Sequence, residues 1–303
     1  LKLNRNDYSM LIMCGMAAGF SALFGTPAAA AVFAIEVTVV GIAHYSAIVP
    51  CLLSSLTAAM VADWFHVKPT SFLVRYIPEF LADSYFMLAR TITMGIAGAI
   101  VSIVFCKIMS KTAELYKKYI KNPYLRILAG GAIVAAISML IYALTGSFDY
   151  NGAGTDIIKK AFIGQSRPEA FILKMLLTAL TLGCGFKGGE IVPSLYIGAT
   201  FGCFFGGLLG LSHSFGAAVG LAAVFCGVTN CPFATLLLTI ELFGADGLPY
   251  YALVIGISYM LSGYTGLYSA QKFYDNKFIH RRFRHLKTYK EIKTDSAANN
   301  GKD

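Results

Sequence analysis

The sequence predicts an all-α polytopic membrane protein, and three observations predict it. Six runs free of Asp, Glu, Lys and Arg lie at 8–35, 37–62, 91–106, 127–148, 191–240 and 247–271. Each is near or beyond the ~20 apolar residues that cross a bilayer. Of the 303 residues, 56% are hydrophobic and 14% charged, and the mean hydropathy is +0.64, which excludes an ordinary soluble domain and exceeds what one anchor needs. The runs are also continuous, without alternation of polar and apolar positions, which excludes a membrane β-barrel.

In chain order, Asn4-Arg5-Asn6-Asp7 forms a polar edge, and Met10 to Phe24 reads as a small-residue-rich helix that breaks at Gly25-Thr26-Pro27. Ala28 to Ala43 reads as a short helix with Glu36 inside it, followed by a span from Tyr45 to Val61. A mixed loop at 63–83 precedes spans at Phe86–Ile108 and Arg126–Leu144, which are joined by a Lys-rich linker at 111–121. Ser147 to Pro168 is a polar connection with turn signals at Asn151-Gly152 and Arg167-Pro168. After Ala170–Leu182, the breaks Ser212-His213-Ser214, Thr229-Asn230-Cys231-Pro232 and Ala245-Asp246-Gly247 cut the apolar sequence into pieces, several too short to span. Broken helices of this kind line cavities inside membranes.

Most other polar and small residues read as packing. Gly198, Gly202, Gly206 and Gly210 recur every fourth position, a stripe along which a second helix can come close. The seven cysteines lie mostly in apolar runs without a CxxC pair, so neither metal binding nor disulfides are expected and no cofactor is implied. His44 and His213 have no acidic neighbours in sequence and read as packing or interface residues. The net charge of +9 comes largely from 107–126 and 272–293, which flank apolar segments. Positive-inside bias explains it, with no nucleic-acid partner, and places the Lys-rich linker and the C-terminus in the cytoplasm.

The chain also repeats itself. Residues 17–37 and 222–242 align without a gap at an offset of 205. Ala17, Ala18, Phe20, Pro27, Ala29, Ile35 and Glu36 match Ala222, Ala223, Phe225, Pro232, Ala234, Ile240 and Glu241. Short, Pro-interrupted segments at corresponding places in two halves point to transporters and related channels with an ion site near the midplane. The paired glutamates at helix ends read as structural.

The organising stretch is Gly183-Cys184-Gly185-Phe186-Lys187-Gly188-Gly189-Glu190-Ile191-Val192-Pro193-Ser194. A helix starting after it aims unpaired N–H groups and a positive dipole end at the glycine-rich turn, which is an anion site in physical terms. Glu190 stands at the mouth of the most apolar region of the chain. The plain alternative is a glutamate favoured by the helix dipole alone.

These residues resemble the CLC family of anion channels and proton-coupled antiporters. Gly189-Glu190-Ile191-Val192-Pro193 stands where that family has its G-x-F-x-P loop, Gly25-Thr26-Pro27…Ile35-Glu36 looks like the segment after its first filter loop, and Gly266-Leu267-Tyr268-Ser269 is similar to the start of its last helix. The wording around Glu190, with Thr229-Asn230-Cys231-Pro232…Ile240-Glu241-Leu242-Phe243-Gly244, looks most like the bacterial fluoride-exporting branch, which puts a glutamate where others have an apolar residue. The resemblance implies the CLC fold, with two inverted-topology repeats of which the first is incomplete, and anion binding at Gly189, Glu190, Ile191 and Tyr268. The backbone N–H groups of Glu190 and Ile191 and the Tyr268 hydroxyl would hold the anion, with Glu190 coupling it to protons. The intracellular proton-transfer glutamate of chloride antiporters would fall at Val37, so that route is absent.

The resemblance further implies a homodimer in the bacterial plasma membrane that exports fluoride against protons, with chloride/proton antiport or a chloride channel on the same fold as the alternative. An intramembrane enzyme is the distant alternative, disfavoured because no HExxH and no Ser/His/Asp set can be placed. Three regions are expected: 1–65 ends the first repeat half, 66–285 holds the central spans and second half with the final Tyr268 helix, and 286–303 is a basic tail. Because the counterpart of the Glu190 loop would fall before Leu1, an upstream segment carrying the first filter motifs is an expected partner. This chain alone is expected to transport nothing.

Overall fold

In a computed structural model, residues 4–67, 72, 74–78, 85–275, 277, 282–289 and 291–292 are described. Two broken-helix pairs anchor the architecture. Helix α1 (Arg5–Phe24) is N-capped by Asn4, whose side-chain oxygen accepts the Asp7 N–H at 2.8 Å, and ends at Gly25 in the left-handed region; α2 (Pro27–Glu36) follows with Pro27 in its first turn. Far along the chain, α9 (His213–Thr229) ends at Asn230, also left-handed, and α10 (Pro232–Phe243) restarts at Pro232.

The repeat seen in sequence is present residue by residue in the backbone. Gly25 (φ 68°, ψ 30°) corresponds to Asn230 (φ 58°, ψ 32°), and Thr26 (φ −123°, ψ 75°) to Cys231 (φ −117°, ψ 78°). Gly and Asn are the residues that tolerate the left-handed conformation, and the following proline fixes φ for the new helix. An identical kink therefore arises from different residues.

The two short helices are tied by reciprocal caps. The Glu36 carboxylate accepts the N–H groups of Phe233 (3.2 Å) and Ala234 (2.8 Å), while Glu241 accepts those of Ala28 (3.0 Å) and Ala29 (2.8 Å). Each carboxylate thus satisfies donors that a helix start leaves unpaired, and sits at the positive end of its partner's dipole. Both glutamates are structural, as their matched positions predict. Charge-assisted bonds of this kind are worth about 1.5–3 kcal/mol. Glu36→Gln, which keeps one acceptor but loses the charge, is expected to cost about 1–2 kcal/mol and to lower the unfolding midpoint in detergent; an unchanged midpoint would remove the capping role.

Between these pairs lie α3 (Ile48–Trp64), entered through a 3₁₀ turn at Tyr45–Ala47, then α4 (Tyr85–Tyr119), α5 (Pro123–Thr145), α6 (Thr155–Phe162), α7 (Ala170–Gly183) and α8 (Ile191–Leu208); α11 (Leu248–Leu261) follows α10. Among the described residues, five stretches are long and apolar enough to cross a bilayer: Asp7–Phe24, Tyr45–Trp64, Tyr85–Tyr119, Pro123–Thr145 and Ile191–Leu208. Helix α9 forms the centre, with every residue from Ser214 to Thr229 buried. It contains no Asp, Glu, Lys or Arg, as a helix surrounded on all sides must.

Helices α8 and α9 come together through glycine. A Cβ on Gly202 would lie 2.2 Å from the Gly216 carbonyl oxygen, one on Gly198 would lie 2.7 Å from the Leu221 Cα, and one on Gly206 would lie 2.8 Å from the Gly216 Cα. The predicted stripe is therefore a backbone-to-backbone seam at three of its four positions. Gly210 falls outside it, because α8 stops at Leu208 and Gly210 turns the chain with φ 73°. His213 packs by its ring, with Nδ1 3.2 Å from the Cys203 carbonyl oxygen. All seven cysteines are free.

Four expectations need correction. The helix predicted at Ala28–Ala43 ends at Glu36, because the chain bends at Val37-Thr38 and the β-branched Val39–Val40 (β1) pairs in parallel with Lys272–Phe273. The Lys-rich linker is mostly helix: α4 continues through Lys111, Lys117 and Lys118 to Tyr119, since Ala, Glu, Leu and Lys are strong helix formers. Its 35 residues reach about 52 Å, well past the ~30 Å hydrocarbon layer. The polar connection at 147–168 contains α6, whose Ile157, Ile158, Ala161 and Phe162 are buried. Parts of the predicted loop at 63–83 lie outside the described residues.

The final correction concerns the C-terminal region. No helix starts at Tyr268; the chain turns there and enters β2 (Lys272–Asp275), which pairs antiparallel with β3 (Arg282–Thr288). The Gln271 side chain holds this path by donating to the Val37 carbonyl (3.0 Å) and the Thr229 carbonyl (2.8 Å), and the Lys272 N–H donates to the Thr38 carbonyl. Strand β3 also runs through 285–286, where the basic tail was expected to begin. Among the described residues the fold is thus helical with one small three-stranded sheet.

Candidate functional site

The glycine-rich turn and the start of α8 open onto a cavity of about 740 Å³. In the turn, Gly185 has φ 115°, a conformation that excludes a side chain, and a Cβ on Gly189 would meet nothing within 4 Å. The loop is therefore open at Gly189. The Ser194 N–H donates to the Glu190 carbonyl at 3.1 Å, closing the first turn of α8. The N–H groups of Glu190, Ile191 and Val192 precede any intrahelical acceptor, and Pro193 has none to offer. Free donors and a positive dipole end thus converge beside the cavity.

Four sequence-predicted residues, Gly189, Glu190, Ile191 and Tyr268, all line this one cavity although Tyr268 is far away in sequence. The Leu267 N–H donates to the Val228 carbonyl at 3.0 Å, so the Tyr268 turn is pinned to the C-terminal end of α9. Glu190 is half-buried, and its side chain makes no cap bond to its own helix. That separates it from Glu36 and Glu241, whose carboxylates are both spent on backbone N–H groups.

Much of the cavity wall is apolar and aromatic. Phe20, Phe24 and Phe33 line the cavity, with ring centroids 4.6 Å apart for Phe20–Phe24 and 5.1 Å for Phe20–Phe33. Val37 stands in the same wall, so the position where a chloride antiporter's proton-transfer glutamate would fall presents a hydrocarbon. Few groups can compensate an ion there, which raises the weight of the donors at α8 and of the Tyr268 hydroxyl.

Two contributors escaped the sequence reading. Gln271 lines the cavity and bridges the ends of α2 and α9, and its Oε1 accepts the Asn230 amide at 3.2 Å. A lone glutamine next to a tyrosine carries no sequence signal for such a bridge. Lys174 is only 2% exposed within α7. Its signal was legible, as the only charged residue between Glu169 and Lys187. Among the described residues, no group of three or more His, Cys, Asp or Glu side chains comes together as a metal site would require.

Known proteins resemble this chain in sequence and in fold. The profile of the family described as "Voltage gated chloride channel" matches residues 1–263. A "Chloride/fluoride channel protein" of Pseudomonas syringae pv. tomato is 35% identical over 277 residues, covering 89% of this chain and 60% of the relative. The crystal structure of a CLC-type fluoride/proton antiporter superposes with a TM-score of 0.80 at 32% identity, covering 87% of this chain and 65% of the other. A slow cyanobacterial Cl⁻/H⁺ antiporter gives 0.68 at 19% identity, covering 86% and 63%, a likeness of fold alone. The fold is the CLC fold with its broken helices and inverted-topology repeats. The chain spans about 60% of the length of that curated relative.

Proposed function

Because the chain belongs to the voltage-gated chloride channel family, we propose that it moves a halide anion across the membrane, as fluoride export coupled to proton entry. One observation carries this reading: unlike Glu36 and Glu241, Glu190 does not spend its carboxyl on a helix cap, and it shares a cavity with Tyr268 and the open N-terminus of α8. The backbone N–H groups of Glu190 and Ile191, at the opening left by Gly189, and the Tyr268 hydroxyl would bind the anion. A protonated Glu190 adds a hydrogen-bond donor where a charged one repels. Chloride/proton antiport is the second reading; Val37 on the cavity wall speaks against its usual proton route.

The working unit is proposed to be a homodimer in the bacterial plasma membrane, completed by a segment that supplies the remaining filter motifs. Its substrates are fluoride, or chloride in the second reading, and protons. The test is efflux from liposomes carrying the complete transport unit. Fluoride efflux should drive proton uptake, and chloride should give little of either; equal fluxes for the two anions would favour the second reading.

Orientation is testable separately. The projecting end of α4 and the segment around Lys287 should both face the cytoplasm, since both are rich in Lys and Arg. Lys118→Cys and Lys287→Cys should stay unlabelled when intact cells meet an impermeant thiol reagent and label after lysis. Labelling from outside would reverse the assignment.

A further inference from the structure

A second cavity, of about 390 Å³, adjoins the same loop and shares Gly189 with the first. Its wall also includes Pro193 and the polar side chains of Ser138, Asn151, Thr178 and Thr181. Lys174 belongs to this wall, and its ammonium donates to the Tyr150 carbonyl (3.2 Å) and the Gly152 carbonyl (2.5 Å). It also lies 4.9 Å from the centroid of the Tyr196 ring. These partners are all neutral. Among the described residues the ion pair formed is Lys160–Asp149, and no carboxylate compensates Lys174.

Burying an ammonium with neutral partners is costly, and holding a turn in place requires no charge, since a neutral donor could bond the same carbonyls. A charge kept under those terms leaves the cavity positive, and low-dielectric walls focus that field. We propose that the second cavity is an anion antechamber to the Gly189–Pro193 loop, in which Lys174 concentrates a small monovalent anion before it reaches Glu190. The inference rests on the proposed transport role of that loop, and Lys174 acts in it through charge and not through direct coupling to protons.

The test compares Lys174→Gln, which can still donate to the two carbonyls, with Lys174→Arg, which keeps the charge. In liposomes, Lys174→Gln should raise the half-saturating anion concentration by about tenfold, the low end of what a focused field gives. The maximal rate and the anion-to-proton ratio should hold, and Lys174→Arg should stay near wild type. An unchanged half-saturating concentration in Lys174→Gln, or equal impairment in both variants, would overturn the antechamber and leave Lys174 as a packing residue. Bromide-soaked crystals of the wild-type protein provide a measurement that does not depend on the variants folding. Anomalous density in the second cavity is expected, and its absence, or equal density in Lys174→Gln, would overturn the proposal. A protein that prefers chloride to fluoride would defeat the fluoride reading while leaving both Lys174 results intact.

Discussion

Gly202→Val should fail to yield a monodisperse, folded protein, or should unfold at a much lower temperature than wild type. The added Cβ would fall 2.2 Å from the Gly216 carbonyl oxygen and 2.9 Å from the Gly220 Cα, and both are backbone atoms. No rotamer change can relieve such an overlap, so α8 would have to part from the buried α9 along the whole seam. Overpacking in cores typically costs 1–3 kcal/mol, and about 3 kcal/mol is expected here because the obstacle cannot move. Gly256→Ala is the control: on α11 a new Cβ meets nothing within 4 Å, and the helix propensity of Ala should offset any loss by up to about 1 kcal/mol. A Gly202→Val protein with a wild-type midpoint would mean that α8 and α9 do not approach through this seam.

That seam also sets the position of the site. Helix α8 carries the free donors at its N-terminus, and α9 carries at its C-terminus the carbonyls that hold Leu267 and Gln271, and with them Tyr268. Fixing α8 against α9 therefore fixes Glu190 relative to Tyr268. The preorganisation of the cavity follows from glycine spacing in a segment without a single charge.

Most of this was legible because the features involved are local or repeated. The helix breaks rest on Gly25 and Asn230 with prolines two residues later, and the reciprocal caps on glutamates at an offset of 205; both leave marks within twenty-one residues. The α8 N-terminus likewise shows in a glycine cluster ahead of an apolar run. The misses are of two physical kinds. Where α4 leaves the membrane, Lys-Thr-Ala-Glu-Leu-Tyr is as good a helix as any linker is polar, so composition marks the membrane edge and not the helix end. The pairing of Val39 with Lys272 depends on groups more than two hundred residues apart, and no periodicity announces it. Tyr268 shows both sides: its place in the cavity followed from family likeness, while the helix expected to begin there gave way to a turn captured by Gln271.

Glu190→Gln carries the second large effect and the central claim. A charged carboxylate and an anion ~4 Å apart repel by about 4 kcal/mol at an effective dielectric of 20, close to a thousandfold in occupancy. Protonation removes that repulsion and turns the group into a donor that can replace part of the hydration shell of a small anion. In the proposed mechanism, each anion passing a protonated Glu190 is thereby linked to a proton. Glutamine keeps the size and a donor but cannot exchange the proton. Since the Glu190 side chain makes no cap bond, its replacement should leave folding and insertion intact.

The decisive measurement records fluoride efflux and proton uptake simultaneously in liposomes holding wild-type or Glu190→Gln protein within the complete transport unit. The account predicts coupled fluxes for wild type and, for folded Glu190→Gln, proton uptake reduced to the leak of protein-free liposomes. Proton uptake driven by fluoride at the wild-type rate in Glu190→Gln would contradict it and leave Glu190 a structural residue.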